Sequence, residues 1–127
     1  MTPERTRHLA AFWFADIVGY TELSSRDENA ALATVDELQR IARQEVERCS
    51  GRIVKFQGDA VLSVFDSTDA ALRAALALQE SFSASDTVQR NKCALRIGVH
   101  VGEVVEAEDG DIYGEEVNLA SRIEGVA

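Results

Sequence analysis

Nine consecutive residues, Leu9-Ala-Ala-Phe12-Trp13-Phe14-Ala15-Asp16-Ile17, surround a single carboxylate with eight apolar side chains. A run this bulky and this free of alternation reads as a buried β-strand, with Asp16 near its C-terminal end. Strand ends protrude from a sheet, so the acid emerges where a turn and solvent can meet it. The rest of the chain has to supply partners for this strand and a use for its charge.

Gly19 breaks the run, and Thr21 is placed to cap a short helix after it. Asp27 opens a longer helix in which Ala31, Val35, Leu38, Ala42 and Val46 share one face, and Gly51 is read as its stop. Residues 52–55 and 60–65 form a hairpin around Phe56-Gln57-Gly58-Asp59, with Gly58 and Asp59 in the turn. Asp66 or Ser67 caps a helix that packs through Ala71, Ala74, Ala75, Leu78 and Phe82, and residues 83–92 read as a polar surface loop. Residues 95–101 and 103–106 read as two strands separated by Gly102, and a last helix is expected over 115–124. The acidic run 106–111 lacks the alternation of a calcium loop and reads as a solvated hairpin tip. This order, β-α-α-β-β-α-β-β-α in 127 residues, makes one α+β domain with helices packed on a sheet.

Charge narrows the partners. At a formal net charge of −9 the surface repels nucleic acid, whose binding rests on cationic contacts to phosphate, and a basic membrane-docking patch is disfavoured for the same reason. A small anionic substrate is compatible with this charge when a divalent cation supplies local positive potential. Cys49 and Cys93 have no metal-ligand spacing and read as reduced thiols. The apolar runs are too short to span a bilayer and Met1-Thr-Pro-Glu-Arg5 has no leader character, so a cytoplasmic setting is expected.

The chemistry centres on Asp16 and Asp59. Adjacent strands would bring the two acids together, where they repel unless oxygen-seeking cations neutralise them and leave positions open for phosphate oxygens. Beside Asp16, the stretch Ile17-Val18-Gly19-Tyr20-Thr21 supplies a glycine turn and a helix start whose amides can cradle phosphates. A lone strand-end Asp is more commonly a turn former than a ligand.

Four motifs carry a specific resemblance. Phe14-Ala-Asp16-Ile17-Val18-Gly19-Tyr20-Thr21 resembles the F-x-D-I-x-G-F-T motif of class III adenylate and guanylate cyclases. The hairpin around Lys55-Phe-Gln-Gly58-Asp59 resembles that family's K-x-x-G-D hairpin. Arg96-Ile-Gly98-Val-His100-Val-Gly102-Glu-Val-Val105 is similar to its R-I-G-V-H-x-G-x-V segment, and Asp111-Ile-Tyr113-Gly114-Glu-Glu-Val117-Asn118-Leu-Ala120-Ser-Arg122-Ile-Glu124 to its closing motif. They occur in the family's order from Phe14 to Glu124.

The resemblance implies an α+β, ferredoxin-like or palm-type mixed sheet, and an adenylate cyclase that makes cyclic AMP by two-metal-ion catalysis at a homodimer interface. It implies that Asp16 and Asp59, with the Ile17 carbonyl, hold two Mg2+ or Mn2+ ions. Val18, Gly19, Tyr20 and Thr21 would receive the triphosphate of ATP, Lys55 and Asp111 would select the base, and Asn118 and Arg122 would act on the ribose and the transition state. The family takes its metal residues from one subunit and the others from the partner, and this chain carries both sets, so a symmetric homodimer follows. The alternatives are a guanylate cyclase or a non-catalytic nucleotide-binding module. Tyr20 stands where the family usually has Phe, and Val101 where it has a small hydroxyl residue. The family domain continues past the last helix into strands carrying a triphosphate-contacting lysine; here the sequence stops at Gly125-Val126-Ala127, C-terminally short, as a shortened cyclase or a fragment of a longer one, and weaker catalysis or a looser dimer is expected in either case.

Each residue also has a plainer reading. Lys55 could face solvent, Asp111 could be a solvated acid, and Asn118 and Arg122 could sit on an ordinary surface helix. His100 reads as satisfied within the sheet, His8 as exposed, and Trp13 and Tyr113 as core or interface aromatics.

Overall fold

The apolar run lies at the centre of the sheet. In the computed structural model, which describes residues 6–123, it forms β1 (Thr6–Val18) with a strand on either side. Next come α1 (Tyr20–Arg26), α2 (Glu28–Arg48), β2 (Arg52–Gln57), β3 (Ala60–Phe65), α3 (Thr68–Ala84) and α4 (Asp86–Asn91). The chain continues through β4 (Ala94–Glu106), β5 (Ile112–Tyr113) and α5 (Glu115–Ile123). Strand order is β2-β3-β1-β4-β5, and every ladder described is antiparallel, where the resemblance implied a mixed sheet. The expected helix end at Glu124, the N-terminal Met1-Thr-Pro-Glu-Arg5 and the C-terminal Gly125-Val126-Ala127 lie outside the described residues.

The absence of alternation in β1 has a direct cause: both its faces are covered. Ala11, Trp13, Ala15 and Ile17 point into a core shared with α2, α3 and α4, including Leu38, Leu78, Phe82 and Val88. Ala10, Phe12 and Phe14 point the other way, into a smaller core with Leu62, Val64, Val104, Ile112 and two residues of α5, Val117 and Ala120. Trp13 is fully buried, and Phe12 stacks on His100 with ring centroids 5.6 Å apart. Asp16 follows the parity of Phe14 and therefore belongs to the α5 side.

The sheet is curled until its two edges meet. Five strands laid flat would put β2 and β5 about 19 Å apart, at about 4.8 Å per strand. Instead Arg52 on β2 donates from Nη1 to the Gly110 carbonyl at 2.7 Å and from Nη2 to Glu106 Oε1 at 3.0 Å, and Lys55 Nζ reaches Asp111 Oδ2 at 3.2 Å. Twist brings the edges round, and these contacts hold them there.

Local expectations fare unevenly. Asp27 caps α2 through Ala30 N, and of the two candidates for α3 it is Ser67 that caps, through Ala70 N, both at 3.1 Å. Thr21 does not cap α1; Gly19 stands at the N-cap with no side-chain bond. At the end of α2 the left-handed residue is Ser50, at φ 58, not Gly51. Gly51 is small for another reason: a Cβ there would lie 2.2 Å from the Phe65 ring. β2 extends to Gln57, two residues beyond the expected end. The expected loop 83–92 contains the end of α3 and all of α4, because Ser85 caps a helical turn that buries Val88. The two expected strands 95–101 and 103–106 are one strand running through Gly102, which lies directly beneath Glu116 of α5. His8 is half-buried rather than exposed, and the cysteines are free as expected.

Gly114 sets the start of α5 against β4. Its φ is 155, and a Cβ would lie 2.5 Å from the Glu103 carbonyl oxygen, a backbone atom that cannot swing away. We expect Gly114→Ala to lower the unfolding free energy by about 1–3 kcal/mol in a denaturant titration. An unchanged midpoint would contradict this account of how α5 is seated.

Candidate active site

Antiparallel registration brings the two acids to one place. Asp16 pairs with Ala60 across the β1–β3 ladder, so Asp59, one residue earlier in the β2–β3 turn, sits beside the end of β1. The turn has Gly58 at its first position with φ 59, a conformation that needs glycine in two-residue hairpin loops. Asp59 reaches across to β1, where its Oδ2 accepts a hydrogen bond from Ile17 N at 3.2 Å.

Across the other ladder Asp16 is paired with Arg96. The guanidinium grips it at both oxygens, Nε to Oδ1 at 3.0 Å and Nη2 to Oδ2 at 2.7 Å. Asp16 is only 8% exposed, so this fork supplies the charge a buried carboxylate requires. Asp59 is less well compensated. Burial pushes its pKa up; the Ile17 and Asp59 amides pull it back, the nearby charge of Asp16 pushes it up again, and Arg96 opposes that. The pair is therefore an anionic site, and among the described residues Arg96 lies beside it, forked onto Asp16.

A cleft of about 300 Å³ opens beside Asp59, lined by Tyr20, Thr21, Ser24, Ser25 and Gly58. Val18 and Gly19 line a different cleft, with Arg26, Asn91, Lys92 and Cys93. The expected phosphate-binding stretch is thus divided, with Tyr20 and Thr21 on the side of the acid.

Lys55 and Asp111 come together as an ion pair at 3.2 Å, with side chains 43% and 23% exposed. Lys55 is registered with Leu62 and so faces the α5 side of the sheet. Asp111 is further oriented by its Oδ1 accepting from Ile112 N at 2.8 Å, and its amide donates to Asp109 Oδ1 at 3.0 Å. Asn118 and Arg122 are exposed on α5, while Val117 and Ala120 of the same helix are buried. Among the described residues, no hydrogen bond or ion pair joins Asn118 or Arg122 to Asp16 or Asp59.

Two arginines of this region were not singled out by sequence reasoning. Arg96 stood only as a motif letter and Arg52 only as the first residue of a strand. The signal for Arg96 is a cation whose register partner is Asp16, visible once β1 and β4 are known to pair.

The donor chemistry fits hard divalent cations: two carboxylates and the Ile17 main-chain carbonyl, all oxygen. Among the described residues no cluster of three or more His, Cys, Asp or Glu could hold a metal ion. Magnesium commonly takes one or two carboxylates and completes its shell with water and substrate phosphates, a donor set with which two aspartates are compatible.

The Asp59 shift has a signed consequence. A carboxyl whose folded pKa is raised favours the fold while protonated and loses that contribution as pH climbs through its folded value. Asp59→Asn lacks the term, so its thermal midpoint should gain on the wild type as pH rises from below the ordinary aspartate value of 3.8 to neutrality. Added Mn2+ should close that gap by stabilising the wild type alone. A difference that stays flat with pH would contradict the assigned environment.

Residues 3–127 match the family described as the adenylate and guanylate cyclase catalytic domain. An adenylate cyclase of Streptomyces coelicolor is 36% identical over 118 residues, which cover 92% of this chain and 30% of that protein. A crystal structure of an adenylate/guanylate cyclase/hydrolase from Silicibacter pomeroyi is 35% identical with a TM-score of 0.81, covering 98% of this chain and 73% of that one. The catalytic core of a rhodopsin-guanylyl cyclase with converted specificity, solved in complex with ATPαS, is 28% identical with a TM-score of 0.83, covering 96% of this chain and 74% of that one. The chain spans between 21% and 30% of the length of the first curated relatives. Among the described residues no helix is long and apolar enough to cross a membrane. With the curled antiparallel sheet and the family match over nearly its whole length, the chain belongs to the adenylate and guanylate cyclase catalytic domain family.

Proposed function

We propose that this domain is an adenylate cyclase, forming 3′,5′-cyclic AMP and pyrophosphate from ATP at sites shared between two copies of the chain. The observation that carries the choice of substrate is the Lys55–Asp111 pair, an ammonium and a carboxylate held 3.2 Å apart on one face of the sheet. Adenine offers an acceptor at N1 beside a donor at its 6-amino group, and guanine reverses that order. A lysine facing N1 and an aspartate facing the 6-substituent therefore favour adenine. Without nucleotide the two side chains satisfy each other; the base enters by exchanging that contact for two charge-assisted hydrogen bonds.

At the other end of the substrate, Asp16, Asp59 and the Ile17 carbonyl would hold two Mg2+ or Mn2+ ions. Bound there, the ions supply Lewis-acid activation of the ribose 3′-hydroxyl and charge neutralisation at the α-phosphate. Cations held by Asp16 would compete with Arg96 for its oxygens, and a phosphate bound beside them would offer the guanidinium a second anionic partner. Tyr20 and Thr21 border the cleft beside Asp59 and would line the path of the triphosphate. The part of Val18 and Gly19 is to supply main-chain amides at the strand-to-helix turn.

Asn118 and Arg122 stand four apart on α5 and share an exposed face. That face suits a role in a partner's site: Asn118 orients the ribose and Arg122 meets charge developing at the α-phosphate. A two-fold pair built this way has two equivalent sites, each using acids from one copy and α5 from the other.

Purified chain incubated with Mn2+ and either ATP or GTP should yield cyclic AMP well in excess of cyclic GMP. Asp16→Ala and Asp59→Ala should each reduce product by about 100-fold or more, since cations at the reacting phosphate contribute several kcal/mol. Equal yields of the two products would overturn the base assignment, and no product at any protein concentration would favour a nucleotide-binding module.

Mixing tests the shared site separately. Equal amounts of Asp16→Ala and Asn118→Ala chains, each inactive alone, should recover about a quarter of wild-type activity, because each mixed pair has one intact site. No recovery would contradict a site divided between copies.

A further inference from the structure

The loop bearing Asp111 is held in shape by its own bonds: Ala107 N to Asp111 O at 2.9 Å, Gly110 N to Ala107 O at 3.0 Å, and Asp111 N to Asp109 Oδ1 at 3.0 Å. None of these fixes where the loop sits relative to β2, at the opposite edge of the sheet. Two side chains of β2 do so. Lys55 contacts Asp111 itself, and Arg52 spans the base of the loop, with Nη1 on the Gly110 carbonyl and Nη2 on Glu106 at the end of β4.

Arg52 and Lys55 face the same way only because β2 is irregular. Residues three apart on a regular strand point to opposite faces. Here Arg52 is registered with Val64 and Ile53 with Ser63, but Lys55 with Leu62, so Val54 is the extra residue of a bulge. The bulge turns both cations toward the Asp111 loop. Gly110 adds closeness: a Cβ on it would stand 3.4 Å from Arg52 Nη1.

The two contacts differ in what a nucleotide does to them. An entering base takes over the ends of Lys55 and Asp111, so their mutual contact cannot hold the loop in the loaded state. The Arg52 fork lies outside the pair and remains. We infer that Arg52 is a positioning residue for base selection: by clamping Gly110 and Glu106 to β2 it sets the Lys55-to-Asp111 spacing on which discrimination between adenine and guanine depends. The inference rests on the reading of Lys55 and Asp111 given above. A planar fork that bridges a carbonyl and a carboxylate suits this task, and a lysine cannot reproduce it.

The test is to measure kcat and KM for ATP and for GTP with Mn2+ in wild type, Arg52→Gln, Arg52→Lys and Glu106→Gln, together with amide exchange over residues 107–112. The preference for ATP should fall at least about tenfold in Arg52→Gln, mainly through a higher KM for ATP. Arg52→Lys should recover little of it, and Glu106→Gln, which leaves the Gly110 contact in place, should lose less. Exchange of the loop amides should quicken in Arg52→Gln, while stabilisation by Mn2+ alone stays as in wild type. Rates for ATP and GTP that fall in parallel, leaving the preference intact, would overturn the assignment and leave Arg52 a merely structural contact. Should the wild type turn over neither nucleotide, the functional reading fails first. The clamp is then judged by calorimetric binding of ATPαS against GTP: a preference narrowed by Arg52→Gln supports it, and one absent from the wild type or unchanged in the variant overturns it.

Discussion

The register of β1 between its neighbours decides where everything else in the molecule falls. Both faces of this strand are apolar, so hydrophobic pattern alone does not fix the pairing; a slip of one residue would exchange Phe12 and Phe14 for Trp13 and Ala15 with little change in apolar content. What breaks the degeneracy is polar. In the observed register Asp16 meets Arg96 on one side and the Asp59 turn on the other. Slipped by one, it would enter the helix-covered core as an unpaired charge, among the most unfavourable placements a side chain can have. An ion pair between a buried carboxylate and a half-exposed guanidinium adds little net stability when compared with apolar packing, but leaving the carboxylate buried without it penalises the wrong register heavily.

From that register the two halves of the site follow. One end of the α5 face has the acids, and the curl of the sheet brings Lys55 and Asp111 together from opposite edges onto the same face. Burial, and after it the charge of Asp16, pushes the pKa of Asp59 up, and Lys55 is held to Asp111 by an ion pair while Ile112 N fixes the other carboxylate oxygen. Under the proposed function a ligand would relieve both: cations for the first, a purine edge for the second.

Features written in local sequence were legible in advance. Asp27 as a cap, the alanine-rich face of α3, the turn at Gly58 and Asp59, and the burial of residues 10–17 each depend on neighbours within a few positions, whereas Leu9, expected in the buried run, is exposed. Features that depend on pairing between distant segments were not. Arg96 acquires its meaning from a residue 80 positions away, and Arg52 from a carbonyl 58 positions away. The bulge at Val54 has no glycine or proline to announce it. α4 was read as loop because its exposed residues are polar and only Val88 is fully buried, too sparse a pattern to show periodicity. Gly102 was taken as a strand break, although it marks the place where a helix crosses close to a continuous strand. The four motifs conveyed the family because they combine local and distant constraints in one string.

We propose that Asp16 and Asp59 together form a cation site for the phosphates of a nucleotide. Anomalous diffraction from crystals grown with Mn2+ and ATPαS tests it most directly. Two manganese peaks bonded to carboxylate oxygens of both residues are expected, with Arg96 turned away from Asp16 toward the phosphates. Manganese bound elsewhere, or an Arg96 still forked onto Asp16 with nucleotide present, would contradict it.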